Sequence, residues 1–232
     1  MFVGVDGCKT GWVAAWISDN EFGIDHFVSI NELAKLKAKC TMIDIPIGLA
    51  PIGHRSCDLL AKKALGQNHA RVFTGARRSL LKLYDQYGIN GRAKASQVLK
   101  NGGDHGISCQ LWGIVPKIAQ VDDFVLSEGQ IGELKECHPE LVFLRLNGGV
   151  SVRQTKKSVE GRDRRKALLD INGFDLTKID YWINDWRIGK GISADDVLDA
   201  CACAIAARDF SACMPEGLAP TDSKGLPMQI WF

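Results

Sequence analysis

The chain has 232 residues, a hydrophobic fraction of 46% and a charged fraction of 24%. A chain of this length can bury roughly 70% of its unfolded surface, so it needs no staples, and its composition excludes disorder. The formal net charge of +2 points to no partner by itself, and no apolar run reaches the ~18 residues that a membrane helix needs.

The eight cysteines read as reduced. Several lie inside apolar runs such as Cys201-Ala-Cys203-Ala-Ile, where a thiol acts as a small hydrophobe, and no Cys-x-x-Cys pair is present. The chain opens directly into a strand-like run without a secretory signal, so the expectation is a cytoplasmic protein without a membrane anchor.

In chain order, Phe2–Val5 is a short apolar strand, and Gly7 and Gly11 bracket a turn. Trp12–Ile17 and Phe22–Val28 are the next strands, and their short polar connections predict an antiparallel meander. Asn31–Ala38 follows as a helix with Asn31 as its cap, and Thr41–Ile45 as a fourth strand ended by Pro46. Helices are predicted over Arg55–Leu65, Arg78–Tyr87, Ala93–Lys100 and Ser108–Leu126, with Gly102-Gly103 as a break. Glu133–Cys137 is a further strand, and Pro139 opens a helix. Arg162–Leu169 is a basic helix, Ala194–Phe210 a long apolar one, and Met228–Phe232 an edge strand.

This order implies an α/β fold, with a mixed sheet of three antiparallel strands and then parallel ones, flanked by helices. It matches the ribonuclease-H-like core. The expectation is one domain over 1–232 with a helical insertion after the fourth strand, at about 55–127.

Five acids stand out. Asp6 follows the first strand beside Gly7, where it could serve a site or simply start the turn. Asp44 lies between Ile43 and Ile45, and a carboxylate buried there needs a cation or another partner to offset its desolvation. Pro139 places Glu140 in a first helical turn, where the helix dipole favours an anion. Asp196 and Asp199 are three apart on the last helix and share a face, with Asp195 nearer the cap. Acids at a helix start can merely complement the dipole, a reading that Asp199, deeper among small apolar residues, fits worst. Together the acids form an oxygen-rich set suited to Mg²⁺ or Mn²⁺, with Asp6, Asp44, Glu140 and Asp199 as the expected ligands. Two such ions about 3.5–4 Å apart can clamp a phosphodiester displacement.

From Ser151 to Lys166 the basic residues Arg153, Lys156, Lys157, Arg162, Arg164, Arg165 and Lys166 face only Glu160 and Asp163. This excess is either a phosphate-facing patch or a solvated helix face. Lys117, Lys156 and Lys157 are candidate phosphate contacts, as are Arg77 and Arg78. His138 suits a proton relay or a structural hydrogen bond, and Trp12 and Trp112 read as core.

Several segments, taken together, resemble a family of uncharacterised prokaryotic proteins classed as a domain of unknown function. They are Gly4-Val-Asp6-Gly-Cys-Lys-Thr-Gly11-Trp12, Ile43-Asp44-Ile-Pro-Ile-Gly48, Gln110-Leu-Trp112, Pro116-Lys117-Ile, His138-Pro139-Glu140, Lys156-Lys157 and Asp195-Asp196-Val-Leu-Asp199-Ala. That family is predicted to be a ribonuclease-H-like nuclease similar to Holliday-junction resolvases of the RuvC type. The resemblance implies a metal-dependent phosphodiesterase acting on nucleic acid through a metal-bound water. Asp6, Asp44 and the Asp196/Asp199 pair match the resolvase acids, and Glu140 is an added acid.

Two other readings stay open. One is a non-catalytic nucleic-acid or protein-binding domain. The other is a phosphotransferase, because Asp6-Gly-Cys-Lys-Thr-Gly11 also resembles the first phosphate loop of actin-like ATPases and sugar kinases. Those proteins usually need two such domains, and the chain offers no second strand-Asp-Gly-turn unit. The oligomeric state, a homodimer among the options, is not readable from the sequence.

Overall fold

β1 (Phe2–Cys8), β2 (Gly11–Ser18) and β3 (Glu21–Phe27) pair as an antiparallel meander. β4 (Cys40–Ile43) runs parallel to β1, and β5 (Glu133–Glu136) parallel to β4, giving the order β3-β2-β1-β4-β5. This is the mixed sheet that the element order predicts, and it is compatible with a ribonuclease-H-like core. The computed structural model describes residues 1–19, 21–128, 133–210 and 212–232. Contacts divide the chain into two compact units. One is Met1–Ile45, Ser127–Ala212 and Trp231–Phe232, and the other is Pro46–Leu126 with Cys213–Ile230.

The first unit holds the sheet, α1 (Ile30–Ala34), α6 (Pro139–Leu146), α7 (Val159–Ile171), α8 (Leu176–Ile183) and α9 (Ala194–Asp209). Its core forms where α9 lies along β1, and α6, α7 and α8 pack against α9. Val13 and Ala15 of β2, Met42 of β4 and nearly the whole apolar length of α9 are buried in this one cluster. A helix so rich in alanine and small cysteines can lie close to a sheet because no long side chain holds it away. α1 packs against β2 and β3 and buries Ile30 and Leu33.

The second unit holds α2 (Ser56–Leu65), α3 (Ser79–Tyr87), α4 (Arg92–Asn101), the greater part of α5 (Cys109–Glu128) and short 3-10 turns at Gly66–Arg71 and Ile89–Gly91. Buried arginines organise it. Arg55 pairs with Asp58 at 2.5 Å and donates to the Ile47 and Gly48 carbonyls. Trp112 is buried, with its indole N–H on the Ile89 carbonyl, and Trp12 of the first unit is fully buried, as the sequence predicts for both.

Some details differ from the sequence expectation. β1 continues to Cys8, so Asp6 lies within the strand opposite Val13 rather than at its end. The cap of α1 is Ser29, whose hydroxyl accepts from the Glu32 N–H, while Asn31 sits in the first turn. α8 has no counterpart in the sequence reading, although Asp175 caps it and Ile179 and Trp182 recur at helical spacing on its buried side. None of the eight cysteines is joined in a disulfide. Among the described residues no helix is long and apolar enough to cross a membrane.

Candidate metal centre

The sheet register brings the first two acids together. Val5 of β1 pairs with Ile43 of β4, and the Asp44 N–H donates to the Val5 carbonyl at 2.9 Å. Asp6 and Asp44 therefore occupy equivalent positions on adjacent parallel strands and share a face. That face is the one turned to α9. A Cβ built on Gly4 would meet backbone atoms of Ala200 and Ala204, so Gly4 faces the helix, and Asp6, two residues on, faces it too. Asp199 precedes Ala200 on that helix. One carboxylate oxygen each from Asp6, Asp44 and Asp199 lies within 4.8 Å of the others.

Three anions this close in a largely dry setting perturb one another. Burial, then the carboxylates of Asp44, Asp199 and Asp196, push Asp6 well above the ordinary aspartate range. Burial also lifts Asp44 to about 6, with Asp199 and Glu140 adding to the rise and His138 and Lys156 opposing it. Asp199 is raised by burial against the pull of Lys156. Its Oδ2 accepts from Lys156 Nζ at 2.6 Å, and its Oδ1 is buried with no hydrogen-bond partner among the described residues. The carboxylates, with Asp199 foremost, hold Lys156 protonated well above the usual lysine range.

The other predicted residues are distributed differently. Glu140 does stand in the first turn of α6, behind Pro139, and is buried. Its Oε1 accepts from Arg165 Nη2 at 2.7 Å, and Arg165 has no exposed surface. Glu140 thus lies near enough to raise Asp44 and Asp199 while carrying its own countercharge. Asp196 turns to the start of α9, where its carboxylate accepts from the Ser193 N–H and hydroxyl and the Ser193 hydroxyl accepts from the Asp196 N–H. This is a capping box, and it directs Asp196 to the helix start. Lys157 is exposed beside Lys156, and its carbonyl accepts from Arg162. Lys117 is half-buried on α5 of the second unit. His138 precedes α6, and its Nδ1 is buried without a partner among the described residues.

The basic segment 151–166 is largely engaged within the fold. Arg165 is interior, Lys156 reaches the acids, Lys166 pairs with Asp180 at 2.6 Å, and Arg164 donates to Asn147. Arg77 and Arg78 are likewise bound inside the second unit. Arg77 pairs with Asp104 at 2.8 Å and donates to the Gly75 and His105 carbonyls, and Arg78 pairs with Asp122 and Asp222. The phosphate-contact reading of these two arginines gives way to that structural one, because burying an arginine demands carboxylate or carbonyl partners that then hold it.

Two roles are not evident in the sequence. In the sequence Arg165 looks like one more charge of the basic run, yet it is the partner of Glu140. The signal was its place among Leu168 and Leu169 on the buried side of α7. Gly4 lies in an apolar strand, where a glycine marks a close backbone approach, here that of α9. No curated protein and no solved structure matches the chain. A family model matches residues 4–218, nearly the whole length, and so spans Asp6, Asp44 and Asp199 alike. The chain therefore belongs to the family described as protein of unknown function (DUF429).

Proposed function

We propose that the Asp6, Asp44 and Asp199 cluster binds Mg²⁺ or Mn²⁺ and that the protein is a metal-dependent hydrolase of nucleic-acid phosphodiester bonds. One observation carries the reading. Three carboxylates converge within 4.8 Å, and one oxygen of the buried Asp199 lacks any partner among the described residues. A buried, unpaired carboxylate oxygen is costly, and a hard divalent cation satisfies it. The donor set is all oxygen, which suits these ions rather than zinc or copper. When bound, such an ion supplies Lewis acidity toward a phosphoryl oxygen and lowers the pKa of water.

The chain's own residues do the rest. The sheet register and α9 fix the three carboxylates in advance. Lys156 presents an ammonium beside Asp199, suited to a phosphate oxygen. His138, whose Nδ1 has no partner among the described residues and which acts electrostatically on Asp44, is suited to hold or move a proton next to that carboxylate. Nucleic acid as the substrate is supported by Trp186, 70% exposed with Lys190 above its ring, which resembles a base-stacking platform. The same segment joins the turn after β1 through the Lys9 N–H, which donates to the Gly191 carbonyl at 2.9 Å.

The test is cleavage of labelled branched, single-stranded and hybrid nucleic acids in Mg²⁺ and Mn²⁺. Asp6→Asn should abolish turnover while the protein stays folded, and equal cleavage by wild type and Asp6→Asn defeats the hydrolase reading. Salt-dependent nucleic-acid binding without metal-dependent turnover would favour a non-catalytic binding domain instead.

A further inference from the structure

Two divalent ions bring four positive charges, and in a poorly solvated site charge left uncompensated by anionic ligands is costly. The charges near this cluster do not provide that compensation. Ionised, as cation binding requires, Asp6, Asp44 and Asp199 bring three negative charges. Glu140 would be a fourth, but its charge is cancelled by the fully buried Arg165 at 2.7 Å. Asp196 is near enough to raise Asp6, but its two carboxylate oxygens accept from the Ser193 N–H and hydroxyl at the start of α9, so it adds to the field without offering a free ligand oxygen. Lys156 then returns one positive charge, 2.6 Å from Asp199 Oδ2, on a side chain that is 40% exposed while the aspartate is 3% exposed. The three ligand carboxylates and the lysine thus hold a net charge of two negatives, the complement of one divalent ion. A second divalent ion would leave a net excess of two positive charges in a poorly solvated site, before any phosphate arrives.

Geometry agrees with the charges. The ammonium sits against one oxygen of Asp199, and the other oxygen, Oδ1, has no partner among the described residues. Here one oxygen serves the lysine and the other is left for a metal.

We propose that the site takes a single divalent cation and that Lys156 occupies the place of the second, supplying its positive charge toward the substrate phosphate. The inference rests on the metal site of the proposed function and deepens it. It makes Lys156 a substrate-charge partner as well as an ion pair, and it fixes the metal count at one per chain.

The experiment is a Mn²⁺ titration of the intact protein, followed by calorimetry and by electron paramagnetic resonance, on wild type, Lys156→Arg and Lys156→Met. Wild type and Lys156→Arg should bind one ion per chain, with the spectrum of an isolated Mn²⁺. Lys156→Met should either gain a second, spin-coupled ion or bind the first roughly tenfold more tightly or better. That floor follows from Coulomb's law for a unit charge about 4 Å from a divalent ion, even in water. Two ions in wild type, or a Lys156→Met protein unchanged in both number and affinity, would overturn the single-ion inference and leave the hydrolase reading standing. No ion in wild type would overturn both. Should Lys156→Met fail to fold, the wild-type and Lys156→Arg counts still decide.

Discussion

Replacing Gly4 with alanine should both destabilise the protein and loosen its metal centre. A Cβ at this position would lie 1.9 Å from the Ala204 nitrogen, 2.2 Å from the Ala200 oxygen and 2.4 Å from the Cys203 carbonyl carbon. Ordinary van der Waals contact begins near 3.4 Å, so the shortest approach falls short by about 1.5 Å. All three atoms are backbone, so no side chain can swing aside and α9 itself must move. Overpacking of a dense core typically costs about 1–3 kcal/mol, and a clash against backbone belongs at or above the top of that range, about 3 kcal/mol. The displaced helix carries Asp199 next to Ala200, while Asp6 stays on the strand. The carboxylate group should therefore open, weakening Mn²⁺ binding by roughly tenfold or more, as changes to the support of a metal ligand do. Urea unfolding gives the stability term, and calorimetric titration of the folded variant gives the affinity. A Gly4→Ala protein within about 0.5 kcal/mol of wild type and with unchanged Mn²⁺ affinity would refute the claim that contact between the backbones of β1 and α9 sets the site.

Other outcomes follow from the same charges. Asp44 rises from 3.8 to about 6 on folding, so between those values the folded chain holds the extra proton, and stability should fall as pH rises from about 4 to 6. The loss from Asp44 is at most about 3 kcal/mol, with Asp6 acting in the same sense. Mn²⁺ requires the ionised forms, so it should raise Tm clearly at pH 7.5 and little at pH 5; equal increments at both would contradict the assignment. Arg165→Met strands the buried Glu140 and should cost about 3–5 kcal/mol in urea unfolding, part of it recovered by adding Glu140→Gln. A single variant within about 1 kcal/mol of wild type would show that the pair contributes little.

Much of the first unit is legible one element at a time. The short β-rich runs and their turns predict the meander, and the compact run around Met42 predicts the parallel strand beside β1. The uneven results come from residues whose meaning depends on distant partners. Arg165 and Glu140 are 25 positions apart, and nothing local to either identifies the other. Arg78 meets Asp222 across 144 positions, so a cation read as open to phosphate is in fact held by the fold. Asp196 and Asp199 look alike in the sequence, three apart on one helix. The capping box draws the first to Ser193, and only the second is carried down to the strands. α8 is hard to see in the sequence because its helical pattern rests on two buried residues, Ile179 and Trp182, a few positions beyond the end of α7.

The sequence by itself determined the order of the five sheet strands and of most helices, an aspartate beside the first glycine turn, an acid in the apolar run of the fourth strand, and the acids of α9. These follow from periodicity, capping and the cost of placing a carboxylate among apolar neighbours, all of which act over a few residues. Only the tertiary structure decided that Asp6, Asp44 and Asp199 converge, that Glu140 is matched by Arg165, and that Lys156 rather than Lys157 reaches the cluster. Those outcomes depend on strand register and on how closely α9 approaches Gly4. Both are set by packing between segments that local preference cannot relate.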